Sequence, residues 1–135
     1  EPHYFKMHKM KRKALIVFFT QSGQLKRIVD AIAEPLKEDF DLVFEELRPE
    51  PEFPFPWKGM SFYQAFPESR MEIPCQLKPF SFDPEEDFDL IICWDVLEHL
   101  DRPLGAVSNF SRAIKEDGAI VLAFPNVMSI KGLVT

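Results

Sequence analysis

Three uninterrupted apolar runs restrict what this chain can become. They are Ala14-Leu15-Ile16-Val17-Phe18-Phe19, Leu90-Ile91-Ile92-Cys93-Trp94 and Ala119-Ile120-Val121-Leu122-Ala123-Phe124. A strand with one wet face alternates apolar and polar residues. A run that is apolar at every position suits a strand covered on both faces, as in a parallel sheet layered between helices. Each run therefore reads as a buried strand.

The intervening segments supply covering elements. Leu25, Ile28, Val29, Ile32, Ala33 and Leu36 repeat at the spacing of one helix stripe, with Lys26, Arg27 and Asp30 facing water. Pro35 should distort or finish that helix. Asp41–Leu47 reads as a strand carrying acids, suited to a sheet edge. Strand, helix and strand in this order form a right-handed crossover. Further on, Asp101 can cap a helix with Pro103 in its first turn. Leu104, Val107, Phe110 and Ile114 give this helix, Asp101–Glu116, an apolar face, and Gly118 is expected to close it in the left-handed conformation. Val127–Thr135 reads as the start of a last helix.

Between these parts, Arg48–Phe82 has a different texture. Pro49, Pro51, Pro54, Pro56, Pro67, Pro74 and Pro79 punctuate it, and its one short helix candidate is Ser61–Ala65. Prolines at alternate positions remove ladder donors, so Pro51–Trp57 cannot be a central strand. The aromatics Phe53, Phe55, Trp57, Phe62, Tyr63 and Phe66 either cap the core or stack on a planar ligand.

A chain of 135 residues suits one domain, 14–135, behind an extension of residues 1–13. The net charge of -6 argues against nucleic acid or an anionic membrane as the main partner. Cys75 and Cys93 make no metal or disulfide framework, and a thiol inside a buried strand behaves as a small hydrophobe. No apolar run reaches the roughly 20 residues that span a bilayer. The mixed, basic start lacks the apolar segment of a secretory signal, so a reducing cytoplasmic location is expected.

Two stretches carry family resemblances. Thr20-Gln21-Ser22-Gly23-Gln24, directly after the first apolar run, resembles the phosphate loop of flavodoxins. The likeness extends more loosely from Lys13 to about Leu90. It is nearest to the flavodoxin-like proteins that accompany dialkylresorcinol-condensing enzymes, through Gln21-Ser22-Gly23-Gln24-Leu25, Pro54-Phe55-Pro56-Trp57, Phe66-Pro67-Glu68-Ser69 and Ile73-Pro74-Cys75. It implies an FMN phosphate held by Thr20, Gln21, Ser22, Gly23 and Gln24. The chemistry agrees: N–H groups at a helix start favour an anion, hydroxyls add donors, and glycine allows close approach. An ordinary strand-to-helix turn is the other reading of the same loop. Leu25 stands where flavodoxins commonly place a second hydroxyl, and the usual later flavin-stacking loop is replaced. Trp57 and Trp94 are candidates for stacking on the flavin or for the core.

The second resemblance covers Asp89 to about Leu133. Asp95-Val96-Leu97-Glu98-His99-Leu100 and Phe124-Pro125-Asn126 resemble the fourth-to-fifth-strand region of class I methyltransferases. This implies that Asp95, Glu98 and His99 line a pocket for the methyl donor and acceptor. His99 beside Glu98 would be a base candidate near neutral pH. Alternatively, both residues cap or orient the following helix. The family's Gly-x-Gly-x-Gly turn has no counterpart among Gly23, Gly59, Gly105, Gly118 and Gly132. Its ribose-holding acid cannot be assigned among Glu45, Glu46 and Glu50. Methyl transfer and S-adenosylmethionine binding are therefore not expected of this chain, and FMN is the cofactor the loop allows.

Both families are doubly wound α/β sheets, so a chimera joined near residues 88 and 89 keeps its strand neighbours. The expected fold is a three-layer, flavodoxin-like or Rossmann-like sandwich with parallel strand order 2-1-3-4, incomplete at its C-terminus. The parts would be 14–88 and 89–135. Thr20–Gly23 and Asp95–Val96 should flank the crevice at the switch point of the sheet. The first helix should lie on one face, and the Pro-rich segment with the later helix on the other. The first face would then be bare over the last two strands, inviting a homodimer or a covering by the N-terminal arm. The functional expectation is a flavodoxin-like module with a phosphate- or FMN-binding loop and no intact catalytic site, either chimeric or truncated; the alternatives are a fragment of a class I methyltransferase that needs a partner chain to supply the glycine-rich turn, and a structural chimera with no ligand.

Overall fold

The computed structural model describes residues 10–20, 22–50, 59, 76–100 and 102–124. Strand β1 (Arg12–Phe18) leads to helix α1 (Gln24–Ala33) and a 3-10 turn at Glu34–Leu36, then to β2 (Phe40–Glu46). Two short strands, β3 (Pro49–Glu50) and β4 (Gln76–Leu77), precede β5 (Phe88–Trp94). A 3-10 turn at Leu97–His99, helix α2 (Pro103–Ala113) and β6 (Ile114–Ala123) follow.

The main sheet has the order β2-β1-β5-β6, and every pairing in it is parallel. This is the 2-1-3-4 arrangement expected of the four long strands. Leu15 lies opposite Ile91 and Ile16 opposite Ile92, so the first two apolar runs are neighbours. Alternate side chains of β1 and β5 enter separate cores. Leu15, Val17, Ile91 and Cys93 pack with Ala106, Phe110 and Ala113 of α2. Ile16, Phe18 and Ile92 pack with Val29 and Ala33 of α1. Burial on both faces is why these strands lack polar alternation.

The α2 face is completed by aromatic rings from the segment before β5. Phe82 lies 5.1 Å from Phe80, 6.4 Å from Phe88 and 6.5 Å from Phe110, centroid to centroid. The last part of the Pro-rich stretch thus covers the face shared with α2, as expected. The lower end of the sheet is tied by Asp89. Its carboxylate accepts from the Lys13 backbone N–H at 2.7 Å and from Lys115 Nζ at 2.9 Å, joining β1, β5 and β6.

Several expectations need correction. Helix α2 stops at Ala113 rather than Glu116, because Ile114 turns into the extended conformation and pairs with Phe88. Its cap position is Arg102, which makes no side-chain cap; Asp101 lies outside the described residues. Leu104 is 83 % exposed, and the buried stripe is Ala106, Phe110 and Ala113 instead. In α1, Ile28 likewise faces outward.

Gly118 is not a left-handed cap; its φ is not positive. It lies within β6, where the strand bulges between the Phe88–Ile114 and Leu90–Ala119 pairs. A Cβ on Gly118 would lie 2.7 Å from Ile114 Cγ1 and 3.1 Å from the Lys115 carbonyl oxygen, so the bulge closes on a bare α-carbon.

The run Ala119–Phe124 supplies the second half of β6 and the residue after it, but it is not buried on both faces. Val121 is 46 % exposed and Phe124 60 % exposed. Val121 is paired with Ile92 and shares the α1 side of the sheet, so the face expected to be bare over the last two strands is open at Val121 of β6 but covered over β5, where Ile92 packs with Val29 and Ala33. The small antiparallel ladder of β3 with β4 was also not anticipated. Ser61–Ala65, Cys75, Val127–Thr135 and the aromatics from Phe53 to Phe66 lie outside the described residues.

Candidate functional site

Strands β1 and β5 end side by side, with Phe18 opposite Trp94, so the turns after them form the two lips of one crevice. On the first lip, the Gly23 N–H donates to Thr20 Oγ1 at 3.0 Å, folding the turn on itself. Gly23 enters α1 with φ 83°, and nothing lies within 4 Å of where its Cβ would be. Only glycine takes that conformation without strain. The first turn of α1 carries neither a side-chain cap nor an acid. Its N–H groups therefore keep their capacity for an anion. Ser22 and Gln24 are exposed beside it, and Gln21 lies outside the described residues.

On the second lip, Asp95 has φ 48°, the left-handed region that Asp tolerates better than most side chains. Its N–H donates to the Ala123 carbonyl at 2.9 Å, which fixes the turn against the end of β6. Val96 is fully buried and anchors the lip in the α2-side core. Glu98 is exposed on the 3-10 turn, whose Leu100 N–H closes on the Leu97 carbonyl at 3.2 Å. The His99 side chain lies outside what the structure describes.

Burial, and secondarily the charge of Glu98, push the Cys93 thiol up to about 12. At neutral pH it is a packing group rather than a nucleophile. Trp94 is half-buried and packs against the α1-side core. Among the described residues, no group of three or more His, Cys, Asp or Glu is placed to hold a metal. No described helix is long and apolar enough to cross a membrane.

The three acids near the end of β2 separate clearly. Glu45 is only 5 % exposed and turns toward the α2 side, where it accepts from the Ser81 N–H at 3.0 Å and from the Ser81 hydroxyl. Its carboxylate is thus spent on holding the segment before β5. Glu46 is half-buried, with Oε2 3.9 Å from Arg48 Nη2. Glu50 is exposed on β3.

A profile described as "Methyltransferase domain" matches residues 32–132, about three quarters of the sequence. The chain belongs to this methyltransferase domain family. The matched span begins in α1, runs through β2 and β5, and passes the end of β6. It starts after Thr20–Gln24. A flavoprotein from Lactobacillus acidophilus NCFM, solved in complex with FMN, is similar at 16% sequence identity and a TM-score of 0.39. That similarity covers 92% of this chain and 99% of the flavoprotein. No curated protein matches the sequence.

The side chains around Glu46 and Arg48 were not legible as a site. Lys78 lies beside Arg48 because its N–H donates to the Arg48 carbonyl at 2.9 Å, extending the β3–β4 ladder. That pairing closes across most of the Pro-rich stretch, and no periodicity announces it. The tripeptide Glu46-Leu47-Arg48 at the end of a second strand was the available signal, since a cation there suits a phosphate.

Proposed function

We propose that residues 14–135 form a nucleotide-binding unit of the methyltransferase domain family that does not transfer methyl groups by itself. Its crevice at the ends of β1 and β5 takes a phosphate-bearing cofactor of the FMN type. The observation that carries this reading is the start of α1: an uncapped, acid-free first turn entered through Gly23, with open space beside its α-carbon. A phosphate there would accept from the backbone N–H groups, and the helix dipole would add to the attraction. The Thr20 oxygen already accepts from Gly23, which leaves its O–H to donate to a phosphate oxygen. Asp95, across the crevice, would face the sugar or ring.

S-adenosylmethionine is the group that family membership suggests, and the residues at the first lip do not fit it. The turn after β1 has one glycine instead of a cluster, and of the acids at the end of β2 Glu45 is engaged by Ser81 while Glu46 stands beside Arg48. Titration of FMN should quench flavin fluorescence with a midpoint of roughly tens of micromolar. Gly23→Val should abolish the quenching, because a branched side chain cannot take a positive φ without strain. S-adenosylmethionine should give no heat in calorimetry. Unquenched FMN, or a saturable heat with S-adenosylmethionine, would overturn the assignment.

A further inference from the structure

Strand β6 closes the sheet at the end opposite β2, and among the described residues no strand pairs with its outer edge. Its two halves treat that edge differently. Ile114–Gly118 carries Lys115, Glu116 and Asp117 and contains the bulge, devices by which an edge keeps other strands away. Ala119–Ala123 has no charge, no proline and an unbroken register against Leu90–Trp94. The second half is a flat, unguarded edge.

Side chains there are open on both faces of the sheet. Val121, on the α1 side, is 46 % exposed. Leu122, paired with Cys93 on the α2 side, is 38 % exposed. A helix laid on one face would cover only one of them. A strand added at the edge lies beside both, so the pattern selects edge pairing over face docking.

The backbone decides which groups are on offer. The Asp95 N–H donates to the Ala123 carbonyl, so Ala123 turns its backbone groups toward β5. By alternation Val121 does the same, while Ile120, Leu122 and Phe124 turn theirs outward.

A second copy of the chain presents the same edge, and one register suits it. In an antiparallel pair about a two-fold axis at Val121, Ile120 exchanges both hydrogen bonds with Leu122 of the second copy, and the reverse. Val121 meets Val121 of the second copy in the closer, non-hydrogen-bonded position, with α-carbons about 4.5 Å apart. Only this register overlaps the whole of Ala119–Ala123 with itself, and it leaves Lys115, Glu116 and Asp117 beyond Phe124 of the second copy. An axis at Ala119 or Ile120 would set Asp117 and Glu116 against apolar side chains.

We propose that the chain forms a two-fold dimer through β6, its sheet continuing into that of a second copy with Val121 on the axis. The pairing does not depend on a cofactor in the crevice, although the second lip is bonded to the paired strand through Asp95.

Sedimentation equilibrium of the full chain tests it. One short ladder lies at the small end of protein interfaces, so a dissociation constant of roughly tens to hundreds of micromolar is expected. Each copy carries a charge of -6, so added salt should tighten the dimer. Val121→Lys sets two like charges on the axis and should weaken association at least about tenfold, with the thermal midpoint of the dilute chain unchanged. In a Cys75→Ser background, Val121→Cys should form a disulfide between copies on mild oxidation, since the α-carbon spacing suits one. Ala119→Cys should not, because Ala119 of the second copy lies opposite Ala123, beyond the about 7 Å that a disulfide spans. A chain still monomeric at about 1 mM would overturn the proposal. So would association that salt loosens, association untouched by Val121→Lys, or crosslinking of Ala119→Cys in preference to Val121→Cys.

Discussion

Replacing Phe110 by alanine should cost about 4 kcal/mol of folding stability, and the number can be assembled from its surroundings. The side chain is fully buried on the inner face of α2, and its ring centre lies 6.2 Å from Phe80 and 6.5 Å from Phe82. Removing the ring withdraws roughly 120 Å² of apolar burial, or about 3 kcal/mol at about 25 cal/mol per Å². Two lost aromatic contacts add about 0.5 kcal/mol or more each. The cavity cannot collapse easily, because Leu15, Val17 and Ile91 behind it are fixed in the sheet. Phe110→Leu keeps most of the volume and should cost about 1.5 kcal/mol or less. Urea unfolding followed by circular dichroism measures both. Combining Phe110→Leu with Val29→Ala tests the two-core arrangement, since Val29 packs on the opposite face of the sheet. The two losses should add within about 0.5 kcal/mol. A Phe110→Ala loss below about 1.5 kcal/mol would show that α2 is not docked as described. A coupling above about 1 kcal/mol would show that the two cores are not separate.

Two further outcomes follow from polar groups. Ser81→Ala removes the hydroxyl that donates to the buried Glu45 carboxylate and should cost about 1–3 kcal/mol, with Ser81→Thr restoring most of it; an unchanged urea midpoint would contradict the lock. Hydrogen bonds from the Lys115 ammonium and the Lys13 backbone N–H hold Asp89 below the usual carboxylate range. A lowered folded-state value gives stability that is present above the unfolded carboxylate pKa of about 4 and lost as pH falls through the lower folded value. Asp89→Asn should therefore lower the thermal midpoint at neutral pH, with the gap to the parent closing in acid. A gap independent of pH would refute the assignment.

The parts of the fold that could be read in advance are those where local pattern and tertiary demand coincide. Ala14–Phe18 and Leu90–Trp94 are apolar at every position because both faces are covered; that pattern marked them as buried strands, while their central place followed from the doubly wound order of the families they resemble. The same logic failed for Val121 and Leu122. An apolar run records that a strand could be covered, whereas coverage depends on whether a helix reaches it. Helix α2 shows the competing pressure. Ile114 continues its apolar period, yet the residue is taken by the ladder with Phe88, and the helix ends early. Tertiary pairing outweighed propensity there, and Gly118 serves a bulge instead of a cap.

The site was legible to a different depth on each side of β1. Gly23 follows an apolar strand and precedes a helix stripe, so its role at a strand-to-helix turn could be read from adjacent residues. The β2 side could not be read this way. Acids on an edge strand ordinarily face water. Glu45 instead points inward because Ser81 supplies two donors that make its burial tolerable. That inward turn leaves Glu46 on the other face of the same strand, with its carboxylate 3.9 Å from the Arg48 guanidinium. The side on which each acid emerges follows from strand alternation, but which side is the interior was decided by a serine 36 positions away. Arg48 and Lys78 meet through the same closure. A local reading therefore finds the strand-to-helix turn at Gly23, while the neighbourhood of Arg48 and Lys78 exists only after β2 and the segment before β5 have been brought together.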